Sequence, residues 1–429
     1  MDRDVNYRDL FIGLDNPVKL KNGKSTIPIN FDNGATTPPF KMVGEYIENF
    51  IPYYSSVGRG KGQKAKICTE FYEKSRGKVL RFLNVKNINK YEVMYVKNTT
   101  EGINLLSNIL WTSEDDVVLS TRMEHHSNDL PWRNKWKIDY VEVGNDGSID
   151  VTEIEKKLIE YDGKIKYVTI TGSSNVTGYV NPINEIAKIA HKYDAKIIVD
   201  AAQLVAHRVI FLEGKENDDY IDFIVFSAHK MYAPFGIGVV AGRKENLSNV
   251  PPFMTGGGTV DIVLDNEVYY TECPYKEEAG TQNLIGVVAL LAGIRQLELI
   301  GFKNIENHEE VLKNYLMSGI SNIRGIKLYG NNIEKDKLCV ISFNSQKLWH
   351  ESLAIALADI RGIAVRDGCF CAQPYVKRLL SISDQASYRY LVQDRTLRPG
   401  MVRTSLGLYN SIEEIDEFLN TLEYIQNHK

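Results

Sequence analysis

Short apolar runs alternate with amphipathic stretches across the first two thirds of this chain. The apolar runs predict strands at residues 92–96, 116–120, 138–143, 166–171, 196–199, 223–226 and 237–241. Between them, apolar residues recur with a helical period at residues 101–110, 151–161 and 183–193. Strands interleaved with helices of this length predict an α/β unit, whose parallel or mixed sheet is covered by helices on both faces.

The pattern changes beyond residue 283. Long helices are predicted at residues 283–300 and 302–323, short strands at 327–329, 339–343 and 363–366, and further helices at 352–361 and 412–427. This order predicts a small α+β domain. We therefore divide the chain into an N-terminal segment that packs on the small domain (residues 1–28), a large domain (29–295) and a small C-terminal domain (296–429).

Polar clusters of the large domain follow directly after predicted strands. They lie at residues 98–100, 124–126, 173–175, Asp200 and 227–230. Ligands of such sheets bind beyond the carboxyl ends of the strands. The sequence therefore predicts one site that collects all these clusters.

Two of these clusters indicate a cofactor. Lys230 follows a strand that reads as buried, and lysine is rarely buried unless it is paired or chemically used. Asp200 ends the preceding predicted strand. A lysine that forms a Schiff base and a carboxylate that keeps a pyridine nitrogen protonated are the groups that pyridoxal 5'-phosphate (PLP) requires.

Other polar residues near these strand ends allow two interpretations each. Thr99 and Thr100 open a predicted helix, which suits a phosphate, although a threonine before a helix is more commonly an ordinary N-cap. Gln203 could reach a phenolate oxygen of the cofactor or cap a helix, and His125 could stack on its ring or be structural. His229 could bind phosphate or form a turn.

A second group of candidates lies in the small domain. Cys369 and Cys371 flank Phe370 in a glycine-containing loop close to Arg366, and positive charge lowers the pKa of a thiol. A buried, inert cysteine is the alternative, and a metal site is disfavoured because no second cysteine pair stands at ligand spacing. The fork of Arg403 suits a substrate carboxylate, although a surface arginine at a strand end would read the same way.

Composition narrows the class of protein. The 429 residues are 43% hydrophobic and 25% charged, as in ordinary globular domains. A net charge of -4 leaves no basic footprint for nucleic acid, and no apolar run is long enough for a membrane helix. The N-terminus lacks a signal-peptide core and the five cysteines are odd in number, so we expect a cytoplasmic protein without a disulfide framework.

Together these residues resemble the class V aminotransferase family of fold-type I PLP enzymes, and most closely its Suf-type cysteine desulfurases and selenocysteine lyases. The motifs that carry the resemblance are Phe31-Asp32-Asn33-Gly34-Ala35-Thr36-Thr37, Thr99-Thr100-Glu101-Gly102-Ile103-Asn104, Glu124-His125-His126-Ser127-Asn128, Ser174-Asn175-Val176-Thr177-Gly178, Val199-Asp200-Ala201-Ala202-Gln203, Phe226-Ser227-Ala228-His229-Lys230, Ala279-Gly280-Thr281 and Arg366-Asp367-Gly368-Cys369-Phe370-Cys371-Ala372-Gln373-Pro374. The resemblance implies an aspartate aminotransferase-like large domain with a mixed seven-stranded sheet, and a homodimer with shared sites.

The resemblance also implies a role for each matching residue. Lys230 would form the internal aldimine, Asp200 would pair with the pyridine nitrogen and His125 would stack on the ring. The remaining cofactor contacts would come from Asn175 and Gln203 at the phenolate, from Thr99, Thr100, Ser227 and His229 at the phosphate, and from Thr281 at the phosphate of the neighbouring subunit. The substrate would be bound by Arg403, Arg366 and Asn33, and Cys371 would be the nucleophile.

The chain departs from the family pattern at three positions. Cys369 and Phe370 stand where histidines are usual, and Gly58 replaces a histidine that lies near the substrate. The expected reaction is removal of sulfur from L-cysteine to give L-alanine and a persulfide on Cys371, with sulfur passing to an acceptor protein. Three alternatives stay open: a selenocysteine lyase, another class V lyase, epimerase or aminotransferase, and a sulfur-transfer protein that works only with a partner.

Overall fold

The computed structural model describes residues 7–247, 251–332, 335–391 and 398–428. Its strands are β1 (Val18–Lys19), β2 (Ser25–Thr26), β3 (Ile29–Asn30), β4 (Tyr91–Val96), β5 (Val117–Thr121), β6 (Lys137–Val141), β7 (Ile165–Thr171), β8 (Lys196–Asp200), β9 (Phe223–Ser227), β10 (Gly238–Arg243), β11 (Val260–Val263), β12 (Val268–Tyr270), β13 (Ile326–Tyr329), β14 (Val340–Ser345), β15 (Ile363–Ala364), β16 (Arg366–Gly368) and β17 (Met401–Ser405). Its α-helices are α1 (Lys41–Phe50), α2 (Gln63–Phe82), α3 (Thr99–Ile109), α4 (Leu130–Arg133), α5 (Val151–Tyr161), α6 (Ile183–Lys192), α7 (Leu284–Ile300), α8 (Phe302–Asn322), α9 (His350–Arg361), α10 (Gln373–Leu379), α11 (Asp384–Tyr388) and α12 (Ile412–His428).

Seven strands form the central sheet, in the order β4-β10-β9-β8-β7-β5-β6. Strand β10 runs antiparallel to both of its neighbours, and the other pairs are parallel. The predicted mixed seven-stranded sheet is therefore confirmed. Because β4 and β9 both oppose β10, six strands share one direction and their carboxyl ends meet at one edge.

The apolar sequence of these strands explains their position. Strands β5 and β9 are buried at every residue, as expected for strands covered by helices on both faces. Helix α3 packs very close to this sheet at Gly102, where an added Cβ atom would lie only 2.6 Å from Val225 Cγ1. The glycine thus lets the N-terminus of α3 approach the end of β9.

The small domain contains a four-stranded antiparallel sheet in the order β13-β14-β17-β16. Strand β17 is not among the predicted strands, yet each of its five residues is buried. Its sequence, Met-Val-Arg-Thr-Ser, lacks a clear apolar pattern because Arg403 stands at its centre. Arg403 is only 2% exposed, so the alternative of a surface arginine is excluded.

The N-terminal residues contact both domains. Arg8 forms an ion pair with Glu414 of α12, and Thr26 accepts a hydrogen bond from Arg361 of α9. The Phe11 ring instead packs against Phe40 in the core of the large domain. Directly after this segment, β3 of the large domain pairs in parallel with β15 of the small domain.

The cores separate between two long helices. Helix α7 packs in the large core, and α8 passes from that core at Ile305 into the small-domain core at Leu312 and Leu316. The two helices meet at Gly301 with a bend of 79°. No single helix in the described ranges meets the length and hydropathy needed to cross a membrane; α7 and α8 do so only as this bent pair.

Candidate active site

A cavity of about 370 Å³ opens where the carboxyl ends of the central strands meet the small domain. The structure brings most of the predicted site residues to its walls. These are Thr99, Thr100, His125, Asn175, Asp200, Gln203, Ser227, His229, Lys230, Arg366, Cys371 and Arg403. We call this space the substrate cavity.

Lys230 and Asp200 occupy adjacent positions at the sheet edge. Lys230 ends a short 3-10 helix that continues β9, and Asp200 is the last residue of the neighbouring β8. Burial lowers the pKa of the Lys230 ammonium to about 8, although the charge of Asp200 opposes this shift. Burial raises the pKa of Asp200, while the Ala202 N–H, 3.0 Å from Oδ1, and the Lys230 charge favour its carboxylate.

Hydroxyl groups cluster at the N-terminus of α3. The Thr99 N–H donates to Ser227 Oγ at 2.8 Å, and the two hydroxyl oxygens lie 2.7 Å apart. Thr100 Oγ1 similarly lies 2.7 Å from Ser127 Oγ. Asn98 caps the helix by accepting from the Glu101 N–H, so neither Thr99 nor Thr100 is the N-cap. A helix N-terminus surrounded by hydroxyls favours an anion such as phosphate.

His125 presents a neutral ring to the cavity. The Ser127 N–H donates to His125 Nδ1 at 3.0 Å, so the ring proton belongs on Nε2. Burial, together with the charge of Lys230, lowers the pKa of His125 to about 3. The uncharged ring is thus free to lie against a planar ligand.

Two arginines meet at one carboxylate on the small-domain side. Arg403 Nη2 lies 3.1 Å from Asp32 Oδ1, and Arg366 Nη2 lies 2.7 Å from Asp32 Oδ2. Arg403 Nη1 also donates to the Asn175 carbonyl at 2.8 Å. Arg403 Nε is buried without a hydrogen-bond partner among the described residues, which leaves one donor unsatisfied. Asp32 stands in the first of the quoted motifs, and its contact with both arginines was not predicted from the sequence.

Cys371 lies in a tight turn at the mouth of the substrate cavity. It is exposed, and both Phe370 and Cys371 have positive φ angles, of 52° and 55°. Asn175 Nδ2 donates to the Phe370 carbonyl at 2.7 Å, and the His126 N–H donates to the Cys371 carbonyl at 2.6 Å. These hydrogen bonds hold a conformation that non-glycine residues rarely adopt.

Two predicted site residues lie elsewhere. Asn33 is buried, where its amide donates to the carbonyl groups of Asn30 and Ser405 and its oxygen accepts from Tyr409. Thr281 is exposed and lines a separate cavity of about 500 Å³.

Two further predicted residues line the substrate cavity while bonded to the motif around Gly34. Gln203 donates to the Gly34 carbonyl at 2.7 Å, and His229 Nδ1 lies 3.2 Å from Thr36 Oγ1. No cluster of His, Cys, Asp and Glu suited to a metal ion occurs within the described part of the chain.

The fold and this edge site define a fold-type I enzyme of the aminotransferase class. The family model for aminotransferase class-V matches residues 29–418, and the chain belongs to that family. Members of this family are PLP enzymes.

Within this family, the chain is similar to proteins named as cysteine desulfurases. A relative from Synechocystis named "Probable cysteine desulfurase" is 35% identical over 92% of this chain and 90% of its own length. A relative of the same name from Halalkalibacterium halodurans is 34% identical over 97% of this chain and 96% of its own length. The solved cysteine desulfurase of Thermococcus onnurineus shares 32% identity with a TM-score of 0.82, covering 94% of this chain and 95% of that one.

Proposed function

We propose that this chain is a PLP-dependent cysteine desulfurase, which converts L-cysteine into L-alanine and retains the sulfur as a persulfide on Cys371. The observation that carries the proposal is that Lys230, Asp200 and Cys371 line one cavity. The similarity to cysteine desulfurases over nearly the whole chain supports it. A class V aminotransferase or epimerase would not need an exposed thiol at this position.

The residues present fit the cofactor. The substrate cavity offers an amine at Lys230, a buried carboxylate at Asp200, a neutral imidazole at His125 and hydroxyls at the N-terminus of α3. We propose that Lys230 carries PLP and that Asp200 pairs with its ring nitrogen. Thr99, Thr100, Ser227 and His229 would hold the phosphate, and Gln203 and Asn175 would lie on the phenolate side.

PLP supplies an electron sink that permits removal of the substrate Cα proton and weakens the C–S bond. Lys230 is the proposed proton carrier. Its pKa of about 8 lets the amine accept and return a proton near neutral pH, where an ordinary lysine would stay charged. His125 stays neutral in that range, so it positions its ring without competing for the proton.

Arg403 is the proposed anchor for the substrate carboxylate. Its Nε retains an unsatisfied donor, and burial strengthens a charge-assisted hydrogen bond. Asp32 fixes the side chains of both Arg403 and Arg366. Arg366 would therefore stand at the cavity entrance, beside the substrate carboxylate that Arg403 holds. Asn33 acts at most indirectly, because its amide is committed to backbone carbonyl groups.

Cys371 is the proposed sulfur acceptor. Its sulfur attacks the sulfur of the substrate, forming an S–S bond while the C–S bond breaks. The electron pair of that bond stays on the substrate Cβ, which takes a proton to complete alanine. Two thiols thus become one persulfide and one methyl group, and the step needs no external oxidant.

A further proposal concerns the assembly of the protein. Thr281 lies outside the substrate cavity, and the nearby hairpin β11–β12 exposes Ile262, Val263 and Tyr269. Exposed apolar groups of this kind favour a protein contact, which supports a homodimer in which Thr281 serves the neighbouring site. A sulfur-acceptor protein and a cytoplasmic location stay predictions.

Mass spectrometry of the PLP-loaded protein after brief exposure to L-cysteine tests the function. We expect one alanine for each sulfur gained, with the sulfur on the peptide that carries Cys371. Cys371→Ser should abolish the persulfide while the PLP absorbance stays. Cys273→Ser is the matched control, because Cys273 is a partly buried thiol outside the cavity.

Two outcomes would contradict the proposal. Persulfide formation that survives in the Cys371→Ser variant would remove Cys371 as the nucleophile. Turnover of an amino donor with a keto acid, without alanine or bound sulfur from L-cysteine, would instead assign an aminotransferase.

A further inference from the structure

A second cavity, of about 440 Å³, lies on the other side of the turn that carries Cys371. Cys369 and His126 line it, whereas Cys371 and His125 line the substrate cavity. We call this second space the rear cavity. One turn therefore separates two thiols that face two different cavities.

The geometry of the turn explains this division. The Ala372 N–H donates to the Cys369 carbonyl at 2.8 Å across residues 370 and 371, as in a type I′ turn with positive φ at both central positions. His126 contacts the turn twice, since its backbone N–H donates to the Cys371 carbonyl and its Nε2 accepts from the Gln373 N–H at 3.1 Å. The turn is thus fixed between the two cavities.

The two cysteines nevertheless belong to the same turn, with only Phe370 between them. A sulfur atom that moves from Cys371 to Cys369 therefore crosses a single turn rather than passing between distant elements. The Cys371 backbone and the Gln373 side chain both act on the Cys369 thiol and lower its pKa. Burial is the largest effect and raises the pKa of the Cys369 thiol, while the polar groups of the turn and of Gln373 oppose this shift.

We propose that Cys369 is a second sulfur carrier, which takes the outer sulfur from the Cys371 persulfide and presents it in the rear cavity to an acceptor thiol. This inference rests on the proposed function. The Cys369 sulfur attacks the outer sulfur of the persulfide, and the S–S bond to Cys371 breaks. The Cys369 proton passes to the departing Cys371 sulfur, so a thiol and a persulfide exchange places without oxidant or reductant.

The arrangement separates loading from delivery. Transfer to Cys369 restores the Cys371 thiol, so that the substrate cavity can accept another cysteine while the first sulfur waits. Among the described residues, the wall of the rear cavity reaches solvent at Leu130, which is 49% exposed. A thiol arriving there would not have to pass Lys230.

Sulfur loading of the holoenzyme without an acceptor tests the relay. Excess L-cysteine is added, free sulfur groups are trapped by alkylation, and fragment-ion spectra assign each sulfur to Cys369 or Cys371, while alanine is counted in parallel. We expect the wild type to retain one sulfur on each thiol. Cys369→Ser should retain sulfur on Cys371 alone with half the alanine burst, and Cys371→Ser should load neither position.

Each other result has a defined meaning. Wild-type sulfur confined to Cys371, or a disulfide between the two thiols with release of sulfide, would overturn the relay and leave the proposed function intact. Sulfur on Cys369 in the Cys371→Ser variant would overturn the proposed order of transfer. Absence of alanine would overturn the proposed function itself.

A bulky residue in the rear cavity tests the delivery route. Leu130→Trp should slow, several-fold, the release of sulfur from loaded enzyme to glutathione as the probe thiol. Leu299→Trp, at an equally exposed position on α7, is the matched control and should not slow it. Equal release rates in both variants would overturn delivery through the rear cavity.

Discussion

The buried Arg403 forms an ion pair of 3.1 Å with the partly buried Asp32, which links the small-domain sheet to the first motif of the large domain. Burial lowers the pKa of Arg403 to about 10, and the charge of Asp32 opposes the shift. Water does not solvate the buried guanidinium of Arg403, so the carboxylate of Asp32 helps to keep it charged. It also fixes the plane of the fork at the cavity wall.

Replacing Arg403 by lysine should weaken substrate binding. Lysine keeps the positive charge but lacks the planar fork of arginine. A lysine ammonium therefore cannot donate to Asp32, the Asn175 carbonyl and a substrate carboxylate at the same time. We expect KM for L-cysteine to rise about 10- to 100-fold, the equivalent of one lost charge-assisted hydrogen bond. Alanine formation at varied L-cysteine concentration measures this.

Arg361→Lys is the control for that substitution. Arg361 forms an ion pair with Glu417 far from the substrate cavity, so its KM should match the wild type. An unchanged KM in both variants would exclude Arg403 as the carboxylate anchor.

The attachment of PLP to the apoprotein should depend on pH with a midpoint near 8. Burial lowers the pKa of Lys230 to about this value, and only the uncharged amine can react with an aldehyde. The attachment rate should thus rise as pH increases through 8 and level off above it. Stopped-flow absorbance at constant ionic strength measures the rate, and Lys230→Ala controls for attachment at surface lysines. A midpoint above 10 would contradict a buried Lys230.

The central sheet could be predicted because its strands are continuous apolar runs with polar residues at their ends. Strand β17 could not, since its arginine and threonine side chains are satisfied only by partners distant in sequence, such as Asp32 and the Ile341 carbonyl. Hydrophobic periodicity carries no information about such tertiary pairing.

The candidate site shows the same division. Asp200 and Lys230 follow predicted strands, so their proximity was deducible from strand order alone. The turn at Cys371 was not, because the sequence signal for two positive φ angles is Asn-Gly rather than Phe-Cys. Here hydrogen bonds from Asn175 and His126 impose the conformation.

His191 should stabilise the fold more at low pH than at high pH. Burial alone would lower the pKa of His191, but hydrogen bonds to Asp222 and to the Asp218 carbonyl outweigh it and raise the pKa above 6.5. A raised folded-state pKa gives stability that is complete below the unfolded value and is lost as pH rises through the folded one. His191→Gln should therefore lower the free energy of unfolding by about 1–3 kcal/mol at pH 6 and by less at pH 9.

Urea unfolding of the wild type and variant at both pH values tests this. His428→Gln, at the exposed end of α12, controls for loss of a histidine as such. A loss that grows with pH would show that His191 is not held in its charged form.

Adding a methyl group at Gly102 should disturb both the core and the proposed phosphate-binding end of the site. A Cβ there would lie 2.6 Å from Val225 Cγ1 and 2.8 Å from Val240 Cγ2, in a core that cannot yield without shifting α3. Gly102→Ala should therefore cost about 1–3 kcal/mol of unfolding free energy, although alanine favours helices. Because α3 carries Thr99 and Thr100 at its N-terminus, the same shift should also weaken PLP binding.

Gly77→Ala in α2 is the matched control. Its added Cβ would meet nothing closer than Arg81 Nη1 at 3.6 Å, the flexible end of a side chain. That variant should gain about 0.5–1 kcal/mol, since a helical glycine loses more backbone entropy than alanine. Urea titration gives both stabilities, and absorbance titration of the apoprotein gives the PLP affinity. Equal gains in stability in the two variants would contradict the close contact between α3 and the sheet. They would also contradict the proposal that this contact positions Thr99 and Thr100 for PLP binding.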